Sequence, residues 1–171
     1  KGGVIANLAV LLAGKIPVGL NFTAGPAAIE CAKQRAGIQT AISAKAFRDR
    51  FPDCPWPENV VLLDTLLPQM KRHILLWWIA SLLLPWRLLA RILQVPRVGG
   101  HDEAVLLFTS GSSGEPKGVI LSHHNIVGNV SQFSAMLDAG PEDMIVASLP
   151  FFHSFGATVT LWYPLIHGVK I

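Results

Sequence analysis

Two apolar runs, Ala104–Phe108 and Val119–Leu121, close tightly on a segment that no apolar core can absorb, Thr109-Ser-Gly-Ser-Ser-Gly-Glu-Pro-Lys-Gly118. Both runs read as strands, so the segment between them is a loop held at its two ends. Gly111, Gly114 and Gly118 permit backbone angles that other residues resist, which lets successive N–H groups turn inward around an anion. Thr109, Ser110, Ser112 and Ser113 add hydroxyl donors. Lys117 brings a mobile point charge, suited to the β- and γ-phosphates of a nucleotide or to pyrophosphate leaving an attacked α-phosphate. Pro116 restricts Glu115 and presets the chain before that lysine. The pattern is neither a Walker A loop, which needs Gly directly before Lys and Ser or Thr directly after it, nor GxGxxG. An exposed Gly/Ser linker is the competing reading.

A second segment follows at Ser148-Leu-Pro-Phe-Phe-His-Ser-Phe-Gly156. The two segments, in this order, resemble the phosphate loop and the LPxFH segment of the adenylate-forming superfamily: acyl-CoA synthetases, luciferases and the adenylation domains of peptide synthetases. Leu11–Gly25 is similar to the matching region of the bacterial bifunctional acyltransferase/acyl-carrier-protein synthetases, and the likeness is weakest between Asp49 and Arg97.

The resemblance implies an α/β fold, part of a large N-terminal adenylation domain with a largely parallel sheet. It also implies ATP and Mg²⁺ as cofactors. A fatty acid carboxylate attacks the α-phosphate, pyrophosphate leaves, and the acyl group passes to acyl carrier protein or to coenzyme A. The bifunctional branch adds reacylation of lysophospholipid. Carried onto this chain, Thr109, Ser110, Gly111, Ser112, Ser113, Gly114 and Lys117 hold the phosphates, and Lys117 and His153 are the catalytic pair. His153 would border the adenylate and acyl pocket, with Phe151, Phe152 and Phe155 suiting a hydrocarbon tail. A core histidine among those rings is the alternative. The later elements of such enzymes lie outside these residues, so the resemblance makes the 171 residues inactive by themselves.

Fourteen basic and eleven acidic residues give a formal charge of +3, mixed without the stripe that a nucleic-acid face needs. His123-His124 is no zinc signature. Cys31 and Cys54 form neither a CxxC nor a disulfide framework, which fits a reducing cytoplasmic setting, with Cys31 a small buried residue. The hydrophobic content of 51% suffices for one core. The chain opens without Met, and Gly168–Ile171 reads as a strand just beginning, so the chain is expected to be a piece.

Along the chain, Val4–Ala13 reads as a helix end or a buried segment and Ile16–Leu20 as a short strand. Pro26 takes the first helical position of a helix over Ala27–Ala36 that Gly37 stops. Strand Ile38–Ser43 and helix Ala44–Arg50 follow; three prolines in Phe51–Pro57 exclude regular structure, and Val60–Leu63 is another strand. Asn125 is expected to cap a helix reaching Leu137, Met144–Leu149 to be a strand delivering Pro150–His153, and Phe155–Ile166 to be a buried helix bent or ended by Pro164. This alternation argues for a layered α/β domain. His123 and His124 have turn and cap duties as the alternative to a nucleotide contact.

Residues 68–97 stand apart. No acidic residue occurs between Asp64 and Asp102, while Lys71, Arg72, Arg87, Arg91 and Arg97 are all basic. Inside this window Ile74–Trp86 is strongly apolar, too short to span a bilayer and interrupted by Pro85 and Arg87. Tryptophans beside cations suit an interfacial element, which predicts peripheral attachment to an anionic membrane, at the cytoplasmic face of the bacterial inner membrane. Packing on protein is the alternative.

Overall fold

The computed structural model describes residues 1–110, 116–137 and 139–171. In chain order the elements are α1 (Gly2–Leu12), β1 (Val18–Gly19), α2 (Pro26–Arg35), β2 (Thr40–Ser43), α3 (Lys45–Arg50), β3 (Asn59–Leu62), α4 (Leu63–Gln69), α5 (Lys71–Leu83) and α6 (Trp86–Ile92). There follow β4 (Glu103–Ser110), β5 (Pro116–Ser122), α7 (His123–Ser134), α8 (Ser154–Ala157), a π-helical turn (Thr158–Trp162) and α9 (Tyr163–His167). They divide into two compact units, one of residues 1–15 and 37–97, the other of residues 16–36 and 98–171.

The second unit carries a mixed three-stranded sheet in the order β1-β4-β5. β1 pairs parallel with β4, Val18 opposite Leu106, and β4 turns back on β5 as an antiparallel pair. The Ala104–Phe108 and Val119–Leu121 runs are therefore partners in a hairpin. Ala104, Val105, Leu107 and Phe108 are its buried positions; Val105 and Leu107 share a face with Leu121 toward α7, whose buried Ile126 and Val130 recur at helical spacing. Leu161, Trp162 and Tyr163 complete this core.

Pro26 begins α2 and Gly37, at φ +60°, ends it where an L side chain would be strained. On its surface Lys33 bonds Glu30 at 2.6 Å and Gln34 donates to the same carboxylate at 2.8 Å. These contacts, Lys33 first, hold the Glu30 carboxyl below the usual range.

Three expectations need correction here. Asn125 is not the cap of α7: Ser122 is, and its Oγ accepts from Asn125 N at 3.2 Å while Asn125 Oδ1 accepts from Ser122 N at 3.0 Å. Met144–Leu149 forms no strand beyond a single bridge from Met144 to Lys170, with Val146 79% exposed. A strand needs a neighbour for its backbone groups, and among the described residues the pairing goes no further than Lys170, whose carbonyl accepts from Ile145 N at 2.9 Å. The expected burial of Phe155–Ile166 fails at its ends, Phe155 and Ile166 being 59% and 51% exposed, and Pro164 disturbs the helix without ending it. Lacking an N–H, it withdraws the donor that the carbonyl of Thr160 expects, and the preceding turn widens so that Tyr163 N bonds Thr158 O, five residues back. The helix then runs to His167 and stops at Gly168, φ +69°.

The first unit has a parallel pair, β2 with β3, in register from Thr40–Asn59 to Ser43–Leu62. Asp64 Oδ2 accepts from Lys45 N at 2.9 Å and so satisfies a donor at the start of α3. Phe51–Pro57 is irregular as expected, pinned by Trp56 Nε1 donating to Phe51 O at 3.1 Å. Leu84, before Pro85, is extended, which ends α5 and lets Pro85 open α6. No residue of this unit is buried. Both cysteines are only partly covered, so Cys31 is not the buried residue expected of it.

Candidate functional site

The glycine- and serine-rich segment joins β4 to β5. Its last described pairs are Thr109 opposite Lys117 and Ser110 opposite Pro116. Gly111, Ser112, Ser113 and Gly114, like Glu115, lie outside the described residues. Residues directly opposite one another in an antiparallel pair share a face, so Thr109 and Lys117 point to the same side of the sheet. Thr109 Oγ1 lies 3.5 Å from Lys117 O, and both residues are exposed.

Alternation along the strands places Val105, Leu107, Leu121 and Val119 in the same two rows as Thr109 and Lys117. Val105, Leu107 and Leu121 are also the sheet wall of a cavity of about 340 Å³. Its opposite wall comes from α7 and the helical run after His153, with Asn125, Asn129, Ser154, Phe155 and Thr158 among its residues and Trp162 in addition. The hairpin face that lines this cavity thus continues outward into a hydroxyl and an ammonium at the mouth of the loop.

Gly118 has a different duty from the one expected. It is not among the glycines with positive φ. Space is what it supplies: a Cβ there would meet Leu106 Cδ1 at 3.2 Å and the Phe108 ring at 3.4 Å.

His153 stands immediately before α8, as its N-cap, and its carbonyl accepts from Ala157 N at 2.8 Å. The ring is exposed and sits 4.7 Å from that of buried Phe152, so it is not a core histidine. Phe152 in turn packs edge-on against Phe22 at 5.2 Å and backs onto Gly19, where a Cβ would come within 3.1 Å of the Phe152 Cα. Gly156 fixes the entry to the helix even more tightly, because a Cβ there would fall 2.3 Å from Pro150 O. The LPxFH segment is therefore anchored on both sides of the histidine, while Phe155 remains 59% exposed beside the cavity.

Sequence reasoning missed the polar lining. Thr158 Oγ1 donates to Asn129 Oδ1 at 2.7 Å and lies 3.0 Å from Ser154 O. Asn125 and Asn129, one helical turn apart on α7, bring two amides to a wall that is otherwise apolar. That i, i+4 pair beside the Ile126 and Val130 stripe was the available signal. His123 and His124 occupy the first turn of α7, with His123 N bonded to Asp102 O at 3.1 Å and the His124 ring 5.7 Å from that of His101. Asn21 Oδ1 accepts from Thr23 N at 2.9 Å, a turn-making bond. Among the described residues no group of three or more His, Cys, Asp or Glu is placed to hold a metal.

A family model described as AMP-binding enzyme matches residues 3–171. The chain belongs to the AMP-binding enzyme family. A sulfoacetate–CoA ligase of Cupriavidus necator is 45% identical over 68 residues, 40% of this chain and 13% of that protein. A long-chain-fatty-acid–CoA ligase of Bacillus subtilis is 35% identical over 83 residues, 47% of this chain and 15% of that protein. Among solved structures, the fatty acyl-adenylate ligase from L. pneumophila in complex with acyl adenylate and pyrophosphate superposes with a TM-score of 0.72 at 22% identity, over 99% of this chain and 27% of that one. The fold is that of the N-terminal part of adenylate-forming enzymes, and the chain spans a small part of the relatives it matches.

Proposed function

We propose that the whole protein is a ligase that activates a fatty acid with ATP as an acyl-adenylate and passes the acyl group to the thiol of acyl carrier protein, serving lysophospholipid reacylation. The observation that carries the adenylation step is the cross-strand pair of Thr109 and Lys117 at the neck of the loop, on the face that runs back into the apolar cavity. A hydroxyl and an ammonium there suit the phosphates, and the cavity wall suits an apolar acid. Attack of the carboxylate oxygen on the α-phosphorus forms the mixed anhydride as the bond to pyrophosphate breaks. Lys117 neutralises the charge that develops on the departing pyrophosphate, and His153, exposed at the start of α8, is assigned to the carboxylate side. Mg²⁺, when bound with the nucleotide, would add to the neutralisation of phosphate charge that Lys117 provides; among the described residues no acidic, histidine or cysteine cluster would hold it.

Coenzyme A as the acceptor is the second reading, favoured by the CoA ligases among the relatives, those of Cupriavidus necator and Bacillus subtilis included. ATP–pyrophosphate exchange by the full-length protein with a fatty acid tests the first step. Lys117→Ala is expected to lower exchange by roughly 10²–10³-fold, the range for removal of a group that stabilises transition-state charge. Equal exchange by that variant removes the phosphate role of Lys117. An exchange-silent parent points instead to a noncatalytic phosphate-binding module, and a panel of carrier protein and coenzyme A decides the acceptor.

A further inference from the structure

Every residue from Lys71 to Ile79 is exposed, and exposure climbs toward the α5–α6 connection, with Leu82 at 67%, Leu83 at 75% and Trp86 at 72%. A helix in water keeps polar side chains on its outer face. α5 instead reads Ile74-Leu-Leu-Trp-Trp-Ile-Ala-Ser-Leu-Leu83, apolar around its whole circumference apart from one serine, whose hydroxyl donates back to Trp78 O at 2.6 Å. The 13 residues of α5 span about 20 Å at 1.5 Å each, short of the roughly 30 Å of a bilayer core. Among the described residues no helix is long and apolar enough to cross a membrane.

Charge decides what covers this surface. Lys71 and Arg72 stand at the head of α5, Arg87 and Arg91 lie on α6, and no acidic residue occurs from Thr65 to His101 to balance them. A second copy of the chain would set these cations against their own kind, which opposes pairing. An anionic lipid surface complements both the cations and the apolar stretch between them. Three of the five tryptophans of the chain, Trp77, Trp78 and Trp86, fall in this stretch, and the Arg87 guanidinium lies 5.5 Å from the Trp86 ring centroid, cation and ring side by side.

We propose that α5 and α6 form a lipid-inserting element: Leu82 and Leu83 enter one leaflet of an anionic bilayer without crossing it, Trp86 sits at the headgroup boundary, and Lys71, Arg72, Arg87 and Arg91 lie among the headgroups. The proposal stands independently of the ligase reading, since it uses none of the hairpin residues.

Flotation of the full chain with phosphatidylcholine vesicles, with and without phosphatidylglycerol, tests it. Binding is expected with the anionic vesicles and to weaken as salt is raised. Arg87→Gln with Arg91→Gln should lower partitioning by roughly 25-fold, about fivefold per cation. Leu82→Ser with Leu83→Ser should abolish it. Both pairs are exposed, and circular dichroism checks that the variants keep their fold. Lipids brominated in the acyl chain supply a measurement on the unmodified chain: they should quench tryptophan fluorescence, and the quenching should disappear in the variant with Trp77, Trp78 and Trp86 all changed to Phe. The proposal is overturned by failure to float with anionic vesicles, by undiminished binding of the serine variant, or by a dimer that the same serine changes dissolve while lipid binding is absent.

Discussion

Residues 16–36 and 98–171 bury Ile29, Val105, Leu107, Val130, Leu161 and Tyr163, whereas residues 1–15 and 37–97, which include the apolar run of α5, contain no buried residue. Hydrophobic content alone therefore does not separate the two units. Pattern does. On α7 the buried apolar Ile126 and Val130 fall one turn apart, with exposed Val127 and Asn129 and half-buried Gly128 between them, a stripe that a sheet can cover. On α5 the apolar residues are continuous, so no single neighbour can cover them all. The first arrangement specifies a core and the second a surface that calls for a different medium.

The largest expected effect comes from the same residue type in the two settings. Leu161 is 1% exposed and Leu83 75%. Leu161→Ala leaves a cavity in the core of residues 98–171 and should cost about 2–5 kcal/mol in denaturant unfolding. Leu83→Ala in the chain free of lipid should stay within about 0.5 kcal/mol. Comparable losses for the two variants would mean that the contrast in burial is not how the chain behaves in solution.

Much of this contrast was legible in the sequence, and the exceptions have physical causes. Pro26 and Gly37 bracket α2 as read, because each acts through its own backbone. The strands around the loop were recognisable from their apolar runs, but not their antiparallel pairing, since an apolar run does not say which strand it pairs with or in which direction. Met144–Leu149 has a strand's composition and almost no strand, because composition cannot reveal whether a partner is at hand. The site followed the same rule. Lys117 and His153 lie in short contiguous motifs and could be put forward as candidates, whereas the wall of Asn129 and Thr158 joins residues 29 positions apart through a contact that only the packed fold creates. The π turn was invisible for another reason: Pro164 announces a disturbance, and the packing of Leu161, Trp162 and Tyr163 decides that the chain widens instead of stopping.

A middle-sized effect probes how the core unit ties down its own connections. The Tyr163 hydroxyl donates toward Leu137 O and Ala139 O, each at 3.0 Å, and accepts from Ala139 N at 3.3 Å. Tyr163→Phe keeps the buried ring and removes the partner of those backbone groups, so it should cost about 1–3 kcal/mol. Hydrogen exchange should show the Ala139 amide losing protection while α5 is unchanged. Loss of protection in both units together would argue that they do not behave as separate compact bodies.

The smallest effect concerns the helix ends. Helices α1, α3, α4, α5 and α6 of the unit without buried residues have no side-chain cap, while α7 begins with the reciprocal bonds of Ser122 and Asn125. Because Ser122 Oγ accepts from Asn125 N, Ser122→Ala should cost about 1 kcal/mol, as for other caps replaced by alanine. Asn125→Ala removes the bonds that its Oδ1 accepts from Ser122 N and Ser122 Oγ, leaves the helix donor Asn125 N capped, and should cost less. The alternative placement of the cap at Asn125 makes the opposite forecast: the asparagine change would be the costly one and Ser122→Ala nearly silent. Asn125 also lines the cavity, so its variant adds a readout that Ser122 lacks. If the cavity receives the apolar acid, Asn125→Ala should alter KM for the acid in pyrophosphate exchange by more than Ser122→Ala does. Equal KM values with unequal stabilities would confine both residues to holding the helix.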